Sequence, residues 1–479
     1  MPATATKRRV TKRTVAISDV VWDTSIYPRQ KWNTSTIERY ADAIEAGEEF
    51  PPIVLEEGTN RLLDGKHRLE AYNKAGVETI PAEMHEVPEG MTAKYYAAIL
   101  SARHGDRMSN SDLKLLAEEE FEADYQAHGD STLDAQDWGR SLGISKSTVY
   151  RWVSHIIERG KASRAAKAWR LLQLGWTQEE VASRLNVTDR TVRSDTGNDS
   201  HLGKISESLG EHWNDKGVAE VANRLGLPLC DAMAAAMIGM DDEDRLKQLG
   251  IKIQPYDVWN FPSCHDLMGD KHPGRIPGEL VAHALYFLTK PGDLVVDPMA
   301  GSGTTLDACL LMGRKARGYD IDHRHKRCDV EGHDLGSGWP SKVADASLVF
   351  WDPPYYDKMD HGTIGEDGYI EGSISGLDPD EYLTWFGKRF VELHQAMKAG
   401  SRLAFLMSDW DSENAKKHDG HPGIWIWDYA DILRQAGFTL ERHIQAPLGT
   451  QQVHPDIVNK FRASRRMARL ERYLLVARK

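Results

Sequence analysis

The spacing of hydrophobic positions changes twice along the chain and divides it into parts. Up to about residue 108, apolar runs of strand type, such as VAISDVVW and FPPIVLEE, alternate with helical patterns such as STIERYADAIEAG. Residues 109–250 have helical spacing throughout, and from residue 251 strands and helices alternate again. This order predicts a multidomain protein with a small α/β domain, an all-α region and a C-terminal α/β domain on a mostly parallel sheet.

Local residue signals support the N-terminal elements. Ser35 or Thr36 is expected to cap the first helix, and Gly47 is expected to end it. The segment NRLLDGKHRLEAYNKAG predicts a strand, a tight turn and a helix, with Gly76 just after the helix end.

Charge is unevenly distributed along the chain. The 479 residues carry a formal net charge of −12, and this average argues against non-specific binding to nucleic acid. Residues 1–14 contain five bases and no acid, which predicts a basic flexible arm, while residues 140–193 and 459–479 each carry a net charge of +7. We therefore expect a protein that is basic only where a phosphate backbone lies. Solvated surface is the alternative for the arm and the tail.

Composition excludes two classes of protein. No apolar run reaches 18 residues, so no transmembrane helix and no membrane partner are expected. The four cysteines form no C-x-x-C pair, which excludes a disulfide framework and a simple zinc ribbon, and a reducing cytoplasm is expected. The segment DIDHRHKRCDVEGHD holds three histidines and a cysteine, but at no standard ligand spacing, so we predict a solvated loop and no metal site.

The strongest chemical signal is the segment GDLVVDPMAGSGTTLDACLLMGRKARGYDID. An apolar strand ends at Asp297, a turn with Gly301 and Gly303 follows, and the next strand ends at Asp320, 19 residues after Gly301. Glycines let the backbone approach a ligand closely, and an acid about 20 residues downstream receives ribose hydroxyls in nucleotide-binding βαβ units. The segment therefore predicts a site for an adenosine-type cofactor.

Other interpretations of this turn fit less well. A Walker A loop is excluded because Thr304 and Thr305, rather than Lys and Ser or Thr, follow Gly303. A dinucleotide site is weak because Leu306 stands where the third glycine is needed. A tight turn without any ligand stays open.

A second apolar strand, in ASLVFWDPPYYD, ends at Asp352. Prolines cannot donate to a sheet ladder, so Pro353 and Pro354 mark the exit of the strand, where open α/β sheets bind ligands. Asp352 and the carbonyl of Pro353 would accept both N–H bonds of an exocyclic amine, and Tyr355 offers a flat stacking face. This predicts a planar substrate whose amino lone pair is aimed at an electrophilic methyl group, with positioning as the main source of rate. A chance D-P-P-Y in a loop is the alternative.

These segments together resemble the S-adenosylmethionine-dependent amino DNA methyltransferases, which act on adenine N6 or cytosine N4. DPMAGSGTT resembles their cofactor loop, DPPY resembles their catalytic motif, and HPGRIP at residues 272–277 is similar to their segment at the methionine end of the cofactor. The resemblance covers residues 251–479 and implies a Rossmann-like domain, S-adenosylmethionine as cofactor and a base flipped into the Tyr355 pocket. Asp at position 352, rather than Ser, makes the motif more similar to that of the adenine-N6 enzymes than to that of the cytosine-N4 enzymes.

This resemblance implies two sets of site residues. The catalytic set is Asp352, Pro353, Pro354 and Tyr355. The cofactor-binding set is Asp297, Pro298, Ala300, Gly301, Ser302, Gly303, Thr304, Asp320, Asp334, His272 and Pro273.

The N-terminal segments LLDGKHRLEAYNKAG and LSARHGDRMSNSDLKLLAEEE resemble the ParB-like domains of chromosome-partition proteins. The G-x-x-R box of that family corresponds to Gly65, Lys66, His67 and Arg68. A glycine turn followed by three bases at a helix start suits an anion, and the resemblance implies a nucleotide there. The alternative is a basic helix start that only pairs with acids.

Two segments of the helical region have a helix-turn-helix pattern. DAQDWGRSLGISKSTVYRWVSHI turns at Gly143 and begins its second helix after Ser145, and WTQEEVASRLNVTDRTVRSD repeats the scheme. Such a motif places the start of its second helix in a DNA major groove, and structural packing without DNA is the alternative. The residues predicted to face DNA are Lys146, Ser147, Thr148, Tyr150, Arg151, Thr188, Arg190, Thr191 and Arg193.

The leading hypothesis is a site-specific DNA adenine-N6 methyltransferase with double-stranded DNA as its partner. The predicted parts are an arm (1–14), a ParB-like domain (15–108), a helical DNA-binding region (109–250) and a methyltransferase domain (251–479). The alternatives are a ParB-like partition or regulatory protein with a vestigial methylase domain, and a cytosine-N4 or RNA methyltransferase. A homodimer and a nucleotide at the ParB-like domain stay open.

Overall fold

The chain divides into two compact units, Met1–Lys161 and Ala162–Lys479. The computed structural model describes residues 10–29, 33–104, 108–128, 133–197, 215–225, 227–271, 274–322, 327–356, 374–410, 423–447, 455–463, 465 and 471–479. Within these ranges, no helix has the length and apolar character needed to cross a membrane.

The first unit begins with a small α/β fold on a four-stranded sheet of order β1-β4-β2-β3. Its elements are β1 (Thr11–Ala16), α1 (Thr34–Glu45), β2 (Ile53–Glu56), β3 (Leu62–Asp64), α2 (Lys66–Lys74), β4 (Thr79–His85) and α3 (Ala93–His104). Ile53 and Leu55 pack with Leu69 of α2, whereas Val54 between them packs with Tyr96 of α3. Because side chains alternate across a strand, both faces of β2 are covered.

Three details of this fold differ from the prediction. Residues 11–14, which the sequence places in the arm, pair with β4 as part of β1. The strand predicted for VAISDVVW ends early because Ile17–Asp19 form a 3-10 turn. Asn33, two residues before Ser35, caps α1 in place of the expected Ser35 or Thr36, since its Oδ1 accepts the backbone N–H of Ser35 at 3.0 Å. The strand, turn and helix predicted around Gly65 are confirmed.

The first helix-turn-helix pattern is confirmed in the same unit. It follows α4 (Asn110–His128) and consists of α5 (Ala135–Leu142) and the start of α6 (Lys146–Gln173). Gly143 adopts a φ of +71°, which permits the tight turn. The Oγ of Ser145 accepts the N–H of Thr148 at 3.3 Å, so it caps α6 as predicted. Trp138 stacks on Tyr95 of α3 with ring centroids 5.2 Å apart, which ties α5 to that helix.

The second unit is built on a seven-stranded sheet of order β10-β11-β9-β8-β5-β6-β7. Its strands are β5 (Leu294–Asp297), β6 (Lys315–Asp320), β7 (Val330–Gly332), β8 (Leu348–Trp351), β9 (Arg402–Met407), β10 (Thr439–Gln445) and β11 (Tyr473–Arg478). The five strands from β7 to β9 in this order are parallel, and β11 pairs antiparallel with β9 and β10. The predicted mostly parallel, Rossmann-like sheet is confirmed, and β5 and β8 have the continuous apolar runs of strands covered on both faces.

The first helix of this unit is the second half of α6, and ten further α-helices follow among the described residues. They are α7 (Gln178–Arg184), α8 (Asp189–Thr196), α9 (Asp215–Leu225), α10 (Leu229–Ala236), α11 (Asp242–Gln248), α12 (Gly278–Leu288), α13 (Thr304–Leu311), α14 (Pro379–Ala396), α15 (Ile426–Gln435) and α16 (Pro455–Ala463). Residues of α10 after Leu229 are buried, so this helix is a packing element.

The second helix-turn-helix, α7 and α8, packs into the same hydrophobic core as the sheet. Val181 and Val192 are buried in one cluster with Leu306 of α13. The guanidinium of Arg184 donates from Nε to the carbonyl of Cys328, before β7, at 2.8 Å. This motif therefore belongs to the same compact unit as the seven-stranded sheet. The division of the chain into four parts stays a prediction.

Candidate active site

Three acidic residues lie where neighbouring parallel strands end. Asp297 is the last residue of β5, Asp320 is the last residue of β6, and Asp352 directly follows β8. These strands are adjacent in the order β8-β5-β6, so the three carboxyl groups share one edge of the sheet. Strands β6 and β8 both come after β5 in the sequence, but they lie on opposite sides of it in the sheet. Open α/β sheets bind ligands in the crevice at such a point.

Hydrogen bonds fix the glycine turn that joins β5 to α13. The N–H of Ala300 donates to the carbonyl of Tyr319, and the N–H of Gly303 donates to the carbonyl of Ala300, each at 2.8 Å. The N–H of Gly301 donates to Oδ2 of Asp320, also at 2.8 Å. Asp320 therefore joins the turn to the end of β6. Of the other predicted cofactor residues in the turn, Pro298, Ser302 and Thr304 are buried.

Asp320 also contacts the chain that follows it. Its Oδ1 accepts the N–H of Asp322 at 2.7 Å. The side chain of the next residue, Ile321, is 44% exposed. The acid and the aliphatic side chain together suit a ribose and a planar ring. The sequence analysis missed Ile321, whose signal is an apolar residue directly after a strand-ending acid.

The two glycines of the turn have different surroundings. Both adopt left-handed backbone conformations, with φ +48° at Gly301 and +82° at Gly303. A Cβ on Gly301 would meet no atom within 4 Å, so this position leaves open space for a ligand. A Cβ on Gly303 would overlap the guanidinium of Arg327, so a contact within the protein requires this glycine. Arg327 was missed because no motif marks it.

The remaining predicted cofactor residues lie outside the turn. Asp334 follows β7 at the same edge of the sheet, is exposed, and accepts the N–H of Gly336 at 2.7 Å. His272 and Pro273 lie outside the described residues. Close to them, Arg275 donates from Nη1 to the carbonyl of Gly269 at 2.7 Å.

The D-P-P-Y segment is anchored by two tyrosine hydroxyls. The hydroxyl of Tyr355 donates to Oδ1 of Asp352 at 2.8 Å, and the hydroxyl of Tyr382, on α14, donates to the carbonyl of Pro354 at 2.8 Å. Tyr356 is buried and contacts Tyr382 edge to face, with ring centroids 4.9 Å apart. An aromatic core beneath the segment therefore holds the predicted catalytic residues together, with Asp352 and Tyr355 partly exposed.

Burial changes the acidity of two carboxyl groups at this edge. It raises the pKa of Asp352 to about 6, although the hydrogen bond from Tyr355 and the charge of Arg472 act in the opposite direction. It raises the pKa of Asp297 to about 7, although that carboxylate accepts the N–H of Met299 at 3.0 Å. At neutral pH Asp352 is mostly ionised, and its carboxylate then acts only as an acceptor.

In the first unit, the predicted anion-binding box, residues 65–68, begins α2. Its two cations are paired within the protein, because Lys66 contacts Glu70 and Arg68 donates to Asp64 at 2.7 Å. The geometry matches the alternative in which the basic helix start pairs with acids, and nucleotide binding stays a prediction.

The residues predicted to face DNA lie at the starts of α6 and α8. The exposed ones are Lys146, Ser147, Tyr150, Arg151, Thr188, Arg190 and Arg193, whereas Thr148 and Thr191 are partly exposed. Four of those on α6 line a shallow depression together with Ser145. The Oγ1 of Thr188 also caps α8 by accepting the N–H of Thr191 at 3.2 Å. The outward orientation of both helix starts is confirmed, and their contact with DNA stays a prediction.

Two protein-family models match parts of the chain. Residues 234–330, which hold the glycine turn and Asp320, match the DNA methylase family, and residues 2–99 match the ParB N-terminal domain. The two matches lie in separate parts of the chain, and each covers about a fifth of its length. Both resemblances drawn from the sequence are thereby confirmed.

Two curated relatives are similar to part of the chain. The DNA adenine methyltransferase YhdJ of Escherichia coli (strain K12) is 36% identical over 86 residues, which are 16% of this chain and 29% of the relative. The orphan methyltransferase M.BamHII of Bacillus amyloliquefaciens is 30% identical over 98 residues, 19% of this chain and 35% of the relative. The chain thus spans about a third of the length of these relatives. A solved structure of a Pnob8-like ParB-N domain is 15% identical, with a TM-score of 0.24. The aligned region covers 42% of this chain and 98% of the solved chain.

Proposed function

We propose that the protein is a site-specific DNA methyltransferase that moves a methyl group from S-adenosylmethionine to the exocyclic amine of a flipped base, with adenine N6 as the target. The observation that carries this proposal is the meeting of Asp297, Asp320 and Asp352 at one edge of the sheet, beside the glycine turn. The match of residues 234–330 to DNA methylases supports it.

The residues of the turn fit S-adenosylmethionine. Gly301 leaves open space where a side chain would stand, Asp320 supplies acceptors for ribose hydroxyls, and the exposed Ile321 offers an apolar surface to the adenine. Asp334, which follows β7 at the same edge, would contact the adenine end. When bound, the cofactor supplies an electrophilic methyl group.

Positioning of the target amine accounts for the chemistry that the protein itself performs. The ionised Asp352 and the carbonyl of Pro353 each accept one N–H of the amine, which directs its lone pair toward the methyl group. Tyr355 stacks on the flipped base. As the new C–N bond forms, the amine must lose one proton, and Asp352 is the hydrogen-bonded acceptor for it. A pKa of about 6 lets this carboxylate be ionised before the transfer and still accept a proton.

The basic helix starts of α6 and α8 would place double-stranded DNA for this reaction, in a cytoplasmic protein. Adenine is favoured over cytosine because Asp, not Ser, precedes the two prolines, and because the relative YhdJ is described as an adenine methyltransferase. The second candidate is a ParB-like DNA-binding protein whose methylase domain is vestigial. In this candidate a nucleotide at the ParB-like domain stays open, with Lys66 and Arg68 paired to Glu70 and Asp64 in the structure.

Replacement of Asp352 tests the proposal directly. In the Asp352→Ala variant, transfer of labelled methyl groups to duplex DNA should fall to background, while calorimetric binding of S-adenosylhomocysteine persists. Asp345→Ala is a matched control, since Asp345 is an exposed acid before the other end of β8. Retained transfer by Asp352→Ala would refute the assignment. Failure of the wild type to bind the nucleoside would favour the vestigial alternative, and transfer to RNA alone would favour an RNA methyltransferase.

A further inference from the structure

A group of five charged side chains, four of them buried and the fifth, Arg327, 12% exposed, lies next to the glycine turn. Its members are Arg170, Asp231, Asp307, Arg327 and Asp329. We propose that Arg327 is a positioning residue that holds the glycine turn in the shape that binds the cofactor. This inference rests on the proposed function, since it concerns the same site.

Arg327 contacts the glycine turn at Ser302 and Gly303. Its Nη1 donates to the carbonyl of Ser302 at 3.2 Å. Its guanidinium also fills the place where a side chain at residue 303 would stand, so Gly303 can only be a glycine while Arg327 stays where it is. The guanidinium is therefore a surface against which the turn rests.

Two aspartates fix the orientation of that guanidinium. Its Nε and Nη2 donate to the two oxygens of Asp329, at 3.0 and 2.9 Å. Nη2 also donates to Oδ1 of Asp307 at 2.8 Å. Because a planar guanidinium binds a carboxylate through two parallel bonds, Asp329 determines the direction in which Nη1 points, which is toward Ser302.

Arg170, from the second half of α6, contacts all three aspartates of the group. It donates from Nε to Asp329 at 2.7 Å and from Nη1 to Asp231 at 2.5 Å, and it also contacts Asp307. The two arginines hold the pKa of Asp329 well below its usual range, despite complete burial. Three aspartates thus satisfy two arginines, which argues against an anion-binding role for these arginines and for a role in fixing the loop.

The same group reaches a second segment near the proposed cofactor site. Oδ2 of Asp307 accepts the N–H of Gly269 at 2.7 Å, and the N–H of Asp270 donates to the carbonyl of Ser302 at 3.0 Å. These contacts join the chain just before HPGRIP to the glycine turn. Asp307 and Arg327 therefore hold the segment before HPGRIP against the glycine turn, and both segments belong to the proposed cofactor site.

The test measures cofactor affinity apart from methyl transfer, by titration calorimetry of S-adenosylhomocysteine into the full-length protein. Arg327→Lys keeps the charge but loses the planar fork, and we expect at least about a tenfold weaker Kd, because small displacements of a binding loop are costly. Arg327→Met/Asp329→Asn removes one charge of each sign, so the buried net charge is unchanged, and the same loss is expected. Affinity for duplex DNA, measured by fluorescence anisotropy, should stay within about twofold.

Arg314→Lys is the matched control, because Arg314 is also an ion-paired arginine, with Asp242, and is even more deeply buried, but lies directly before β6, away from the turn. Its Kd for the nucleoside should match that of the wild type. Lower melting temperatures in the Arg327 variants with an unchanged Kd would show a merely structural role and overturn the proposal. If the wild type itself binds no nucleoside, the proposed function fails, and this inference fails with it.

Discussion

The hydroxyl of Tyr355 donates a hydrogen bond to Oδ1 of Asp352 at 2.8 Å. One oxygen of the proposed acceptor for the target amine is therefore engaged by the residue proposed to stack on the base. Tyr355 can bind Asp352 and stack on the base at the same time only if the base requires its ring and not its hydroxyl. The contributions of the ring and of the hydroxyl can therefore be tested separately.

We expect Tyr355→Phe and Tyr355→Ala to differ sharply. At pH 8 the phenylalanine variant should keep kcat/KM for methyl transfer within about threefold, because the stacking face remains. The alanine variant should lose about tenfold to a hundredfold, since stacking of a base on an aromatic ring contributes about 1–3 kcal/mol. Steady-state kinetics on duplex DNA measures both. Equal losses in the two variants would mean that the hydroxyl is the essential group.

The dependence of methyl transfer on pH should report the ionisation of Asp352. The folded-state pKa of about 6 means that kcat/KM falls as the pH drops below about 6, because the protonated carboxyl loses an acceptor. The hydrogen bond from Tyr355 lowers this pKa, so Tyr355→Phe should raise it and move the acidic limb to higher pH. A pH–rate series for the wild type and this variant measures the shift. A limb that stays in place would dissociate the profile from Asp352.

Alanine at the two glycines of the turn should have separable effects. At Gly301 a Cβ meets no atom within 4 Å, so Gly301→Ala should cost only the left-handed backbone strain of about 1–2 kcal/mol in unfolding free energy, while affinity for S-adenosylhomocysteine is lost. Gly303→Ala should be more destabilising, because the new methyl group overlaps Arg327. Denaturant unfolding with and without the nucleoside tests both. Equal destabilisation by the two variants would contradict the difference in their surroundings.

The parts of the site that follow from local order could be predicted from the sequence. Asp297, Asp320 and Asp352 each end or follow an apolar run, and parallel strands bring such ends to one edge whatever the details of packing. The left-handed turn at Gly65 follows in the same way from the residues on either side of it. The predicted cap of α1 was wrong for a local reason. Asn33, Ser35 and Thr36 all have side chains that can cap a helix, so the sequence does not distinguish them.

Long-range pairs could not be predicted. Arg170 and Asp329 are 159 residues apart, and neither belongs to a motif that would mark it as buried and paired. The same reason applies to the contacts of Arg327 with Ser302 and Asp307, which are 25 and 20 residues away in the sequence. The docking of α7 was missed too, because Arg184 binds backbone carbonyls, which leave no signature in the sequence.

The exposed start of α8 gives a prediction for DNA binding. Arg190→Ala/Arg193→Ala should weaken binding to duplexes of any sequence and reduce the slope of log K against log salt by about 2, since each lost phosphate contact contributes about 0.9. Anisotropy titrations between about 50 and 200 mM KCl measure the slope. Arg434→Ala is the control, because Arg434 is exposed on α15 and paired with Asp431, and its slope should equal that of the wild type. Identical slopes in the double variant and the control would remove α8 from the DNA interface.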